Sequence, residues 1–263
     1  MSSTGVNHRE RAQIGERTLR RDRWWLSPLV TFVVFSAFVV YATWRAFSGE
    51  NYYASPYLSP FYSPCMGAQC VEGSADFGRP FSWWPWSPAL IILIIPLGFR
   101  MTCYYYRKAY YRAFWLAPPA CAVAEPHAKY TGERRFPLIV QNSHRWFLIA
   151  SALIALVLTY DVILAFRNAD HEWGHMGLGT VILGINAALL WLYTLSCHSC
   201  RHLIGGRLRH FSKHPVRYRM WTLVSRLNRD HPKYAWVSLF SVALADLYVY
   251  LLSIGAITDV RFF

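Results

Sequence analysis

The sequence predicts an all-α integral membrane protein, a bundle of five transmembrane helices with its N terminus in the cytoplasm and its C terminus outside. Three observations carry that expectation. Of 263 residues, 54% are hydrophobic and only 16% are charged, against about 25% charged in an average soluble domain. Five apolar stretches approach the roughly 20 residues that a bilayer crossing requires. The basic residues behind the net charge of +13 gather between those stretches, unlike the continuous basic face of a nucleic-acid-binding protein. Six cysteines are too few for a disulfide scaffold in a chain of this length.

The single membrane domain is expected to span at about 26–46, 83–106, 145–166, 174–198 and 235–257. The first stretch follows Arg20, Arg21, Asp22, Arg23, Trp24 and Trp25 and continues to Trp44 with no small-residue cleavage site, which reads as a retained signal-anchor helix. The second opens among Trp83, Trp84 and Trp86 and must continue through Arg100 and Met101 towards Cys103 to reach spanning length, so one half of it is unusually polar. Pro96 marks a kink within it, and Pro118 and Pro119 mark a loop. The remaining three stretches carry few charges and are close to full length. Asp161 and Asp246 are expensive at their positions in spans three and five; each is read either as functional or as the acceptor of a hydrogen bond from a tyrosine or arginine inside the bundle.

Charge between the spans sets the orientation. Residues 1–23 carry six Arg/Lys, 100–145 carry eight and 201–233 carry nine, whereas Arg79 is the only basic residue in 47–87 and Arg167 the only one in the turn after span three. The positive-inside rule then puts the tail 1–23 and the basic connections 107–144 and 199–234 in the cytoplasm, and the loop 47–82 outside. Cys65 and Cys70 fall in that outer loop, where a disulfide would act as a staple with no chemical role. Internal repeats are absent, which removes support for a repeat-built transporter.

The cysteines and histidines fall at one membrane depth. Cys103, Cys121, His127, His144, Cys197, His198, Cys200 and His202 all lie on the basic side or at the adjacent ends of spans. Two Cys with two His form the ligand set of a Rieske-type [2Fe–2S] centre. Here the set would be completed from separate elements: Cys121 and His127 in the loop after the two prolines, His144 at the start of span three, and members of the CHSCRH run at 197–202. Within that run, a helix would put Cys197 with Cys200 on one face and His198 with His202 on another, so it cannot cage an ion alone. The competing readings are packing thiols with interfacial imidazoles, and a haem held axially by His144 and either His198 or His202. A second haem is disfavoured, because spans one and two contain no histidine. Arg100, Tyr104, Tyr105, Tyr106, Arg107, Lys108, Asn142, Ser143, His144 and Arg145 supply donors for a quinone carbonyl and a base for proton relay, or else an aromatic and arginine belt that meets anionic lipid.

Five segments carry a resemblance: MTCYYYRKAYYRAFW at 101–115, PPACAVAEPH at 118–127, FPLIVQNSHR at 136–145, CHSCRHLIGG at 197–206 and HFSKHPVRYR at 210–219. Together they resemble the single membrane-anchor subunit of actinobacterial succinate dehydrogenases, respiratory complex II, over about 89–250. The resemblance implies a multi-pass subunit in the bacterial plasma membrane, in complex with a flavoprotein subunit that oxidises succinate and an iron–sulfur subunit that delivers electrons. This chain itself would then hold no succinate-oxidising site. It implies reduction of menaquinone or ubiquinone, and a Rieske-like [2Fe–2S] cluster in place of haem b. Cys121 and Cys197 are then the expected thiolate ligands, with His127, His144, His198 and His202 competing for the two imidazole positions and Cys200 in reserve. Tyr104, Tyr105, Arg107, Lys108, His144 and Arg145 are the expected quinone contacts. The alternatives are a haem b cytochrome of a related dehydrogenase and a cofactor-free structural anchor. Membrane lipids are expected neighbours, nucleic acid is not a partner, and a higher oligomer of the complex is compatible with this reading.

Overall fold

The computed structural model describes residues 20–123, 137–168, 170–206 and 208–263. In chain order it contains α1 (Leu26–Ser48), a two-stranded antiparallel hairpin of β1 (Tyr53–Ala54) and β2 (Tyr57–Leu58), α2 (Ala89–Ile92), α3 (Ile94–Thr102) and α4 (Tyr104–Phe114). After these come α5 (Pro137–Asn142), α6 (His144–Leu164), α7 (Leu178–Leu195), α8 (His198–Gly205), α9 (Pro215–Arg229) and α10 (His231–Ser253). Among the described residues α1, α6, α7 and α10 are each long and apolar enough to cross a bilayer. At about 1.5 Å per residue, α7 is about 27 Å long and α1 and α10 about 35 Å, which brackets the hydrocarbon thickness of about 30 Å.

The expected second span, 83–106, is not one continuous helix. Trp83, Trp84 and Trp86 precede α2 in irregular chain, the helix is interrupted at Leu93, and it stops at Cys103, whose backbone is extended (φ −65°, ψ 128°). Pro96 accounts for the first interruption: its ring has no N–H to give to the carbonyl of Ile92 and crowds that carbonyl. Ala89–Thr102 together with α4 makes a fifth span only as a broken pair. The last span starts earlier than its hydropathy suggests, at His231, because Pro232 in the first turn needs no intrahelical donor. Pro215 opens α9 in the same way.

The chain divides into two compact units. One comprises the described residues up to Phe38 with those of Thr102–Asn142. There Phe32 packs on Phe114 with ring centroids 4.8 Å apart and Phe35 on Tyr106 at 5.5 Å. The Gln141 side-chain amide donates to the Thr102 carbonyl at the point where the helix stops.

The other unit, Val39–Met101 with Ser143–Phe263, is built on α7, which packs against both α6 and α10. Tyr57, Ala165, Leu183, Ala245 and Val249 form a buried cluster there. Polar bonds cross the helices as well: Trp191 Nε1 donates to Thr159 Oγ1 at 2.9 Å, and Ser241 Oγ donates to Asn186 Oδ1 at 3.2 Å. Such bonds hold spans together where water offers no alternative partner. Cys65 and Cys70 are joined in a disulfide. At the same end Asp259 accepts from Tyr57 Oη at 2.7 Å, from Tyr248 Oη at 2.6 Å and from the backbone N of Gly179 at 3.0 Å, tying the C-terminal segment to the first turn of α7.

Both intramembrane carboxylates are accounted for. Asp161 accepts from the Ser63 hydroxyl. Asp246 on α10 and Arg45 on α1 are each fully buried and paired, Arg45 Nε to Asp246 Oδ2 at 2.9 Å. Tyr41 Oη and Ser59 Oγ donate to the same carboxylate at 2.5 Å each. The remaining guanidinium donors reach Ser48 Oγ and the carbonyls of Glu50 and Asn51. Because a buried charge left without its partner is strongly destabilising, Asp246→Asn or Arg45→Ala is expected to lower unfolding stability by about 3–5 kcal/mol, whereas the paired Arg45→Met/Asp246→Leu variant recovers a large part of that loss. Thermal unfolding of the detergent-solubilised complex for the two single variants and the pair measures this directly.

Candidate functional site

One group of polar side chains in the second unit collects where α6 and α10 begin and α7 ends. His144 is the first residue of α6 and His231 the first of α10, so both imidazoles stand at helix starts, near the end of α7. Between them α7 stops at Leu195, and Cys197 takes an extended backbone (φ −63°, ψ 143°) before α8 resumes. Side chains hold that corner. Asn228 Nδ2 donates to the Ser196 carbonyl at 2.7 Å, Ser196 Oγ lies 2.7 Å from His231 Nδ1, and Ser196 Oγ also bonds the Tyr193 carbonyl at 3.0 Å. The backbone groups freed by the break are thereby given partners in a setting where orphaned ones would be costly.

The rings form a ladder. His144 stacks on Phe99 with centroids 4.8 Å apart and planes 8° apart, Phe99 meets Tyr193 edge-on at 5.2 Å, and Tyr193 stacks on His231 at 5.1 Å and 13°. The Arg100 guanidinium lies over the Tyr193 ring at 4.7 Å and donates to the Ala235 carbonyl at 3.2 Å and to Ser238 Oγ at 3.1 Å. His144 Nε2 is 3.0 Å from Cys197 Sγ, and both side chains are buried. Gly98 permits this approach of α3 to α6: a Cβ there would stand 2.1 Å from Phe147 Cε1.

Of the residues singled out in the sequence, His144 and Cys197 are brought into direct contact. His198 and His202 touch each other, Nε2 to Nε2 at 3.0 Å, on the exposed face of α8. Burial, and then the neighbouring His202 and Arg201, draw the His198 imidazole below its ordinary range. Cys200 is half-buried, and burial pushes its thiol up. Cys197 precedes α8 in extended backbone, so the expected sharing of one helical face by Cys197 and Cys200 does not apply. Cys121 is exposed and belongs to the other unit, where its carbonyl accepts from Arg20 Nη1 at 2.9 Å. His127 lies outside the described residues. Tyr104, Tyr105, Arg107 and Lys108 also belong to the other unit. There Tyr104 and Lys108 are exposed, Tyr105 is half-buried, and Arg107 is buried with its guanidinium 5.1 Å from the Tyr104 ring. Arg145 is exposed beside buried His144.

These positions bear on the expected cluster. Among the described residues no group of three or more His, Cys, Asp or Glu side chains is placed to hold a metal ion. The His144–Cys197 pair supplies one imidazole and one thiol, half of a two-Cys, two-His set. The described residues therefore do not by themselves fit a [2Fe–2S] centre.

His231, Ser196, Tyr193, Phe99 and Asn228 complete the cluster and carry no sequence motif of their own. The one legible signal is His231 directly before Pro232 at the head of an apolar run, a repeat of the placing of His144 at the head of another. Gly98→Val is expected to force α3 away from α6 and unstack Phe99 from His144 at a cost of about 1–3 kcal/mol, the range for overpacking a filled site. Thermal unfolding beside Gly98→Ala, which adds one methyl at the same place, checks the graded response.

The chain matches a family model described as actinobacterial succinate dehydrogenase subunit SdhC over residues 26–255. It is similar to a chain of the solved structure of the Mycobacterium smegmatis Sdh1 complex in the apo form, with 56% sequence identity, 99% of this chain and 100% of that chain covered, and a TM-score of 0.87. No curated protein matches it.

Proposed function

Because the chain belongs to the actinobacterial succinate dehydrogenase SdhC family and is thus a multi-pass membrane subunit of that oxidoreductase complex, we propose that it is also the subunit at which quinone is reduced. The flavoprotein and iron–sulfur subunits are the partners in this reading. Oxidation of succinate to fumarate releases two electrons and two protons. The electrons pass singly through the iron–sulfur subunit, and a quinone, menaquinone or ubiquinone, takes up both with two protons to become quinol. Succinate itself does not meet this chain. The excess of Arg and Lys in 1–23, 100–145 and 201–233 supports a cytoplasmic partner face in the plasma membrane, with five crossings if α2–α4 count as one.

The observation that carries the proposal is the Arg100–Tyr193–His231–Ser196 cluster beside His144 and Cys197. A half-buried guanidinium held by a ring, a carbonyl and a hydroxyl favours negative charge arriving on a quinone oxygen, since charge interactions strengthen as the dielectric falls. The His231 imidazole, bonded to Ser196 Oγ, can hold or pass a proton to that oxygen. Tyr104, Tyr105, Arg107, Lys108 and Arg145 stand in this proposal as further headgroup contacts. A Rieske-like [2Fe–2S] centre would draw on His144 and Cys197 and would need one further thiolate and one further imidazole; His127, Cys121, His198, His202 and Cys200 are the proposed sources.

In the assembled complex, Arg100→Gln is expected to slow succinate-driven quinone reduction by about 10-fold to 150-fold, the range for losing about 1.5–3 kcal/mol of charged hydrogen bonding. Succinate-driven reduction of a water-soluble dye at the partner subunits stays unchanged. Equal rates with quinone for Arg100→Gln and the parent would sink the assignment. Reduced-minus-oxidised optical and low-temperature EPR spectra of the complex are expected to show a Rieske-like signal that disappears in Cys197→Ala, and a Soret band that shifts on reduction would assign haem b instead.

A further inference from the structure

α9 presents three faces, each with a different environment. At about 100° per residue, Val224, Arg217, Asn228 and Trp221 fall together, and this face is anchored. Arg217 Nε donates to the Ile204 carbonyl at 2.8 Å, Asn228 bonds the Ser196 carbonyl, and Trp221 lies under the Arg201 guanidinium at 4.7 Å. Val216, Met220 and Leu223 fall within about 60° of arc on another face and are 69%, 49% and 59% exposed. Arg219 and Arg226 border that apolar ridge on its open side and are exposed. Among the described residues neither arginine has an ion-pair partner.

The position of the helix says what meets this pair of faces. Asp230 alone separates Arg229 from His231, the first residue of spanning helix α10. The Asn228–Ser196 bond fastens the last turn of α9 to the residue after Leu195, where spanning helix α7 ends. α9 is thereby held at the level where one span leaves the bilayer and the next enters. An apolar ridge flanked by arginines at that level matches the acyl boundary and phosphate layer of an anionic leaflet, which offers hydrocarbon and negative charge side by side.

We propose that α9 lies in the membrane surface as an interfacial helix, with Val216, Met220 and Leu223 against lipid acyl chains and Arg219 and Arg226 on anionic phospholipid phosphates. This assignment is independent of quinone reduction. The test places the photo-crosslinker p-benzoylphenylalanine singly at Val216, Met220, Leu223 and, as a control on a different face, Thr222. Each complex, with its partner subunits, is reconstituted into phosphatidylcholine vesicles and into vesicles of phosphatidylcholine with phosphatidylglycerol. Assembly is verified by succinate-to-dye activity, and adducts are identified by mass spectrometry. Phospholipid adducts at least 5-fold more abundant at the three ridge positions than at Thr222 are expected. In the mixed vesicles phosphatidylglycerol is expected to be over-represented among them, and that excess is expected to vanish in Arg219→Gln/Arg226→Gln. Cross-links from the ridge to a protein subunit would overturn the proposal, as would adducts no richer at the ridge than at Thr222. Lipid adducts with no preference for phosphatidylglycerol would overturn the anionic recognition.

Discussion

The Arg45–Asp246 pair is the interaction on which the far end of the second unit depends. Neither charge has access to water, and burying either alone would be prohibitive. Their joint satisfaction therefore dictates the surroundings. Tyr41 one turn before Arg45, Ser59 just after the hairpin, Ser48 at the end of α1 and the carbonyls of Glu50 and Asn51 must all arrive together, because each closes a donor or acceptor that the pair leaves open. The consequence is that α1 and α10 are fixed at one register, and the chain from 49 to 62 is folded back over them. A hydrophobic pair of similar volume could supply cohesion, but it would impose no such register.

The start of α10 uses polarity differently. Arg100 is held by the face of Tyr193, a backbone carbonyl and a serine hydroxyl, and the same Tyr193 ring stacks on the buried His231 imidazole. One end of the unit is thus locked by a formal ion pair, while the other assembles ring faces, imidazoles and a thiol. The two carboxylates at the locked end are satisfied differently. Asp246 does accept bonds from a tyrosine and an arginine, as one reading of the sequence expects, whereas Asp161 takes a serine from the 63–65 loop instead.

How much the sequence discloses follows from which forces act over short and long separations. α1, α6, α7 and α10 are long runs in which apolar content alone decides the state, so hydropathy finds them to within a few residues. The breaks are harder. Pro96 announces the interruption at Leu93 because its effect is local and steric. The extended residues Cys103 and Cys197 have no such mark, since the partners that accommodate those breaks come from far along the chain: Gln141 for the carbonyl of Thr102, and Asn228 and His231 for Ser196. His144 and Cys197 are legible as candidates because they are unusual residue types at the edges of apolar runs. Phe99 and Tyr193 are not, because an aromatic residue in a span looks the same whether it packs against lipid or against an imidazole.

The corner at Ser196 joins two parts that the sequence keeps apart. Asn228, in the last turn of the surface helix α9, holds the Ser196 carbonyl, and the hydroxyl of that serine holds the His231 ring, which in turn stacks on Tyr193 beneath Arg100. Each link is a direct bond or a ring contact, and each is buried or half-buried, so a change in the depth of α9 has no slack to absorb it before it reaches the imidazole. A helix seated in the leaflet would therefore set the position of His231 as well as anchor the loop. The buried cluster keeps its geometry only while the surface helix keeps its level, which gives a physical reason for an apolar ridge and exposed arginines on a segment that contributes no ring or thiol of its own to the site.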